Sequence, residues 1–138
     1  MENSQNFERE LSQFRFLKEQ LEFTKGQYDL FNAALSNLLM IKTTLENVRD
    51  NLNENDEILI PIGGLISIKA GIKDTKKLLV YITQDTVIEK STEESVEFIE
   101  KQIEQSKDQL KLLGESIQKL ELNLEGMSQS IQTKIGQN

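Results

Sequence analysis

The chain has 138 residues, 16 Lys and Arg against 23 Asp and Glu, a formal net charge of −7, 6% aromatic residues, and no Cys, His or Trp. That is the length of a single domain. Its acidity disfavours a nucleic-acid partner, which needs a basic footprint. Without Cys or His there is no zinc finger, thiolate nucleophile or imidazole base, so no metal or cofactor is expected and catalysis would rest on Asp, Glu, Lys, Ser and Tyr alone. No apolar run approaches the ~20 residues of a membrane span, and the start, "MENSQNFERE", is unlike a secretory signal; a soluble cytoplasmic protein is expected.

The first element is a long helix over residues 1–53. Apolar side chains recur at Phe7, Leu11, Phe14, Leu17, Leu21, Tyr28, Phe31, Leu35, Leu38, Ile41, Leu45, Val48 and Leu52, with Thr24 filling one slot. The steps alternate between three and four, a heptad seam with phase slips near Phe14 and Leu38. The last element, residues 91–138, keeps the rhythm without a slip: Val96, Ile99, Ile103, Ser106, Leu110, Leu113, Ile117, Leu120, Leu124, Met127 and Ile131. It opens on "STEE", with Ser91 as N-cap and Glu94 three positions on. Glu93 and Glu94 suit the positive end of the helix dipole and are not read as a catalytic carboxylate pair. Residues 7–52 would span about 69 Å and 93–135 about 65 Å as helices. Two narrow apolar stripes of equal length predict an antiparallel coiled-coil hairpin, softened by Gly26, Gly114 and Gly126, each costing about 1 kcal/mol relative to Ala.

Between the helices the period changes to two. Residues 57–90 predict two β-hairpins: "EILIP", then a Gly63-Gly64 turn, then "LISIKAGIK" with Ile66, Ile68, Ala70 and Ile72 on one face. After a "DTKK" turn come "LLVYIT", a tight "QD" connection and "TVIEK", again with the alternation and turn residues of a hairpin. About 33 residues cannot bury their own apolar surface. Ile58, Ile60, Ile62, Leu65, Ile66, Ile68, Ile72, Val80, Ile82 and Val87 are therefore expected to form an assembly joint, with Leu79 and Ile88 adding to the surplus. Pairing with strands of other chains in a closed barrel would remove the free edges. "PIGG" lacks the Gly-Lys-Ser/Thr of a phosphate loop. Lys69, Lys73, Lys76 and Lys77 read as a solvated strand face and turn.

Helix, two hairpins, helix, with "ILIPIGGLISIKAGIKD" at the first hairpin and "VIEKSTEESVEFI" entering the second helix, resembles an alpha-class prefoldin subunit, of archaeal type, over essentially the whole chain. "TQD" at residues 83–85 stands where that family usually has a glycine-containing turn, and Ser95 replaces a common Ala. The resemblance implies an ATP-independent holdase, a hetero-hexamer of two alpha-class and four beta-class subunits. Its hairpins build a double β-barrel body and its coil ends grip non-native polypeptides for delivery to a group II chaperonin.

Phe7, Phe14, Phe16, Phe23 and Phe31, five of the six phenylalanines, fall in the N-terminal part of the first helix. Phe16, Phe23 and Leu30 recur every seven positions, about 130° from the seam, where a two-helix coil cannot cover them. At the other terminus Met127, Ile131 and Ile135 approach an end where pairing is expected to fray. Phe7, Leu11, Phe14, Phe16, Leu17, Phe23, Met127, Ile131 and Ile135 are thus the candidate client-binding residues. Leu39, Met40 and Phe98 are also off the seam and are expected to pack near the hairpins. The competing expectation is a structural coiled-coil spacer or filament-forming subunit without clients.

Overall fold

The computed structural model describes residues 2–136. The element order is α1 (Glu2–Asn51), β1 (Glu57–Pro61), β2 (Ser67–Gly71), β3 (Lys77–Tyr81), β4 (Val87–Ser91) and α2 (Thr92–Gly136). The chain is mainly α with a small β insert of two separate antiparallel hairpins, β1-β2 and β3-β4. The expected outer limits of the two helices, positions 1 and 138, lie outside the described residues.

Two compact units divide the chain: Met1–Leu35 with Gln105–Asn138, and Ser36–Glu104. In the first, α1 and α2 pair antiparallel. Glu10 meets Lys134 at 2.7 Å and Lys25 meets Glu121 at 3.4 Å, so the α2 partner's number falls as the α1 number rises. Tyr28 lies over Gly114, where an added Cβ would come 3.9 Å from the tyrosine ring, an ordinary contact.

The seam residues explain this pairing. Phe7, Leu11, Phe14, Leu17, Leu21, Thr24, Tyr28 and Leu35 are half-buried, while the positions between them are mostly exposed. On α2, Leu110 and Ile131 are buried, and Leu113, Ile117, Leu120, Leu124 and Met127 are half-buried. A two-helix coil covers only one stripe of each helix, so few side chains become fully buried, and α1 has none that do among the described residues.

In the second unit, Lys42 bridges to Glu100 at 3.5 Å, and Val96 and Ile103 are buried. The end of α1 is anchored to the first hairpin. Asn55 takes φ 71°, a left-handed conformation that Asn tolerates. Its amide donates to the Ile72 carbonyl at 2.7 Å, and the Ile72 amide donates in turn to the Asp56 carbonyl at 3.0 Å.

Both hairpins close the same way. Ile62 N–H donates to Ile66 O at 3.0 Å, and Ile82 N–H to Thr86 O at 2.9 Å, each closing a three-residue loop. The two-residue "QD" connection expected from the sequence is therefore corrected. Thr83 belongs to the loop, because its Oγ1 accepts from the amides of Asp85 (3.4 Å) and Thr86 (3.1 Å), as a turn-forming hydroxyl does. The first loop contains Gly63 and Gly64, yet neither has positive φ, so the glycine-free second loop needs no different geometry. Between the hairpins the "DTKK" turn is centred on Asp74, whose Oδ1 accepts from Lys76 N at 2.8 Å and Lys77 N at 3.3 Å. An Asp side chain bonding the backbone two residues on is a turn in its own right.

The second helix starts as its sequence requires. Glu94 N–H donates to Ser91 Oγ at 3.0 Å, the N-cap bond, and Ser95 Oγ donates back to Ser91 O at 2.8 Å.

Candidate functional site

The candidate surfaces are exposed apolar side chains, one set on each unit. On α1 of the first unit, Phe16 (58% exposed), Phe23 (68%) and Leu30 (74%) form a lane at seven-residue spacing. The seam takes the other face of the helix, so the lane has no intramolecular cover. Gly26 and Ala33, also exposed, lie beside it.

The remaining sequence candidates in this unit divide differently. Phe7, Leu11, Phe14, Leu17 and Met127 sit half-buried in the seam, and Ile135 is exposed. Ile131 is buried, at 9% exposure. The expected fraying there is corrected: α2 stays helical through Gly136, and the Lys134 ammonium donates to Glu10 Oε1 at 2.7 Å beside it. The other carboxylate oxygen, Glu10 Oε2, is buried without a hydrogen-bond partner.

The sequence reading missed Leu122. This exposed side chain, with Glu10, Gln13, Asn123, Gly126, Met127 and Ser130, lines an open groove of about 360 Å³. The signal was available in "LELNL", where Leu122 falls between the seam residues Leu120 and Leu124 and so faces away from the partner helix.

In the second unit the hairpin register sets which residues share a face. Ile58 pairs with Ala70 and Ile60 with Ile68, placing these four on one face of β1-β2; Leu59 and Pro61 take the opposite face. Ile60, Ile62, Leu65, Ile66 and Ile68 are exposed, Leu65 completely, while Ile58 and Ile72 are half-buried. In β3-β4, Val80 pairs with Ile88 and both are half-buried, whereas Leu79, Tyr81 and Val87 are exposed on the other face, and Ile82 is exposed beyond the strand end.

Each hairpin thus carries apolar side chains on both faces, the pattern of strands made to be covered from two sides. Leu59 and Tyr81 were not among the expected assembly residues: alternation along "EILIP" places Leu59 opposite the chosen face, whereas Tyr81 shares its face with its register partner, the expected Val87. An isolated two-stranded sheet is marginal in water, so the hairpins lack the cover that their composition requires.

Charged groups nearby are surface features. Lys69, Lys73, Lys76 and Lys77 are exposed, with Lys69 4.0 Å from Glu57. Phe98 packs near the hairpins as expected, with the Lys90 ammonium 5.4 Å from its ring centre, within reach of a cation–π contact. Leu39 and Met40 stay exposed. At the end of α1, the hydrogen bond from Arg49 holds the Asp50 carboxyl below its ordinary pKa. Among the described residues, no helix is long and apolar enough to cross a membrane, and no group of three or more His, Cys, Asp or Glu is placed to hold a metal ion.

Two long helices bracketing two small antiparallel hairpins define a coiled-coil subunit with a β insert. The sequence profile of prefoldin subunits matches residues 17–137, so the chain belongs to the prefoldin family, whose members are non-enzymatic chaperone subunits. It is similar to prefoldin subunit alpha of Methanocorpusculum labreanum, with 31% identity over 120 residues, 87% of this chain and 76% of that one. It is also similar to prefoldin subunit alpha of Pyrococcus horikoshii, 26% identical over 120 residues, covering 87% of this chain and 81% of the relative. Among solved structures, filamentous PFD from Methanocaldococcus jannaschii matches with a TM-score of 0.72 at 22% identity, covering 83% of this chain and 93% of that one. Family membership carries with it assembly with other prefoldin subunits.

Proposed function

We propose that this chain is the alpha-class subunit of an ATP-independent holdase, capturing non-native polypeptides on its coil unit and delivering them to a group II chaperonin in the cytoplasm. The exposed lane of Phe16, Phe23 and Leu30 carries the reading. Apolar side chains repeated along one helix face without intramolecular cover are the kind of surface that an unfolded chain, itself rich in exposed apolar side chains, can share. In this reading residues 57–90 are the assembly segment, closing with the hairpins of beta-class subunits into a common β-barrel, two alpha to four beta. Residues 1–53 and 91–138 are the coil that binds. The family resemblance supports the stoichiometry and the chaperonin; the doubly apolar hairpins support the barrel.

The test is dilution of a chemically denatured protein into buffer with the assembled complex. Turbidity should stay low, equally with and without ATP. Full aggregation in the presence of stoichiometric complex would contradict the reading.

A second reading, a filament-forming subunit, is favoured by one observation: one structural match is to a prefoldin described as filamentous. Sizing the purified chain alone separates the two. Discrete oligomers that require a beta-class partner fit the first, and open-ended polymers of this chain fit the second.

A further inference from the structure

We infer that the groove beside Glu10 takes a basic side chain of the bound polypeptide, arginine in preference to lysine. The inference rests on the holdase reading above and deepens it: it names what this surface selects in a client besides apolar residues.

The groove lies wholly within the coil unit, between residues of both helices, and encloses about 360 Å³. That is the low end of the range for ligand pockets, enough for one long side chain. Gly126 keeps it open. A Cβ built there meets no other atom within 4 Å, and the backbone has no positive φ, so a larger residue is allowed and would take up the free space. The groove also adjoins the exposed lane of α1. Gln13, in its lining, precedes Phe16 by three positions, and residues so spaced are neighbours on a helix surface. A polypeptide held on the lane therefore passes the groove.

Charge decides the occupant. Glu10 is the one ionisable side chain in the lining. Lys134 donates to its Oε1 at 2.7 Å, while Oε2 is buried without a hydrogen-bond partner. A buried acceptor left unpaired is costly, and the torsion that carries a carboxylate is soft enough to turn that oxygen toward a donor. Because Lys134 already offsets the charge of Glu10, an arriving cation gains a charge-assisted hydrogen bond rather than a full ion pair. An acidic side chain would face Glu10 with no cation in the lining to receive it.

The rest of the lining favours arginine. Gln13, Asn123 and Ser130 each bring an oxygen that can accept a hydrogen bond. A guanidinium has five N–H donors in a planar fork and serves several acceptors at once, whereas an ammonium is a compact point charge. Leu122 and Met127 line the same space, and the aliphatic stem of a long basic side chain lies favourably on such apolar groups.

The experiment uses the full-length chain assembled with its beta-class partner, as wild type, Glu10→Gln and Gly126→Leu. The probe is an unstructured peptide of apolar residues and arginines, compared with the same peptide carrying citrulline, which keeps the shape of arginine and loses its charge. Wild type is expected to bind the arginine peptide about tenfold more tightly than the citrulline peptide. Glu10→Gln removes the charge; Gly126→Leu fills the groove, leaves Glu10 and Lys134 in place and favours the helix. In both variants the two peptides are expected to bind within about twofold of each other. Equal affinities in wild type overturn the inference and leave the holdase reading standing. A tenfold preference kept by either variant overturns it as well, assigning the preference to the overall charge of −7. Wild-type complex that binds neither peptide overturns the holdase reading, and the inference with it.

Discussion

The Thr92 hydroxyl donates to the Thr75 carbonyl at 2.6 Å, and the Thr92 amide donates to the Lys76 carbonyl at 2.9 Å. The first residue of α2 is thereby fastened to the turn that joins the two hairpins. Thr92 is buried, as is Ser95 one turn on. Thr92→Val keeps the shape but leaves the Thr75 carbonyl without this donor, at a cost of about 1–3 kcal/mol. Denaturant unfolding at fixed protein concentration should show the loss, and a change under about 0.3 kcal/mol would mean that water replaces the hydroxyl freely.

Leu110 and Leu112 are chemically identical and two positions apart, yet Leu110 is buried in the seam while Leu112 is exposed. Leu110→Ala should cost about 2–3 kcal/mol, the low end for a core leucine because the coil is thin. Leu112→Ala should stay within about 0.5 kcal/mol. Thermal unfolding of the two variants checks the heptad assignment of α2, and equal losses would refute it.

Ile66 and Ile68 are exposed side chains of the first hairpin. Replacing both with Lys should place unpaired charge where other subunits must cover the strands. Light scattering should then report monomers whose circular dichroism still shows the helices. An oligomer of unchanged size would remove the hairpins from the assembly role.

Much of this architecture was legible in the sequence because a coiled coil leaves only one face of each helix to cover. The unbroken three-four rhythm of α2 matches side chains that are all at least half-buried from Val96 to Ile131. On α1 the seam holds except at Phe31 and Ile41, both marginally exposed; Ile41 follows the phase slip at Leu38, where the stripe turns away from the partner helix. The second hairpin loop was harder to read. "LLVYIT" continues its β-pattern through Thr83, and only the hydroxyl's bonds to the following amides show where the strand stops. At Ile131, nearness to a chain end suggests fraying, whereas its burial follows the heptad position, and the seam continues through that turn. Leu59 and Leu122 lie opposite the faces that read as core, and Tyr81 shares its face with its register partner Val87. In a subunit that other molecules cover, the opposite face carries information too.

Phe16 and Phe23 provide the most direct test of the central claim, that the exposed lane of α1 captures non-native chains. Phe16→Ser with Phe23→Ser changes no seam residue, so stability should move by no more than about 0.5 kcal/mol per site. Each loss removes on the order of 2 kcal/mol of apolar burial available to a bound client. The hairpins belong to the other compact unit, so assembly should be unaffected. The measurement is light scattering of a denatured client diluted into wild-type or double-variant complex, with oligomer size and melting temperature determined in parallel. The account predicts normal size and melting temperature, with client protection reduced by more than about tenfold in effective affinity. A double variant that protects the client as well as wild type would contradict it and place the capturing surface elsewhere.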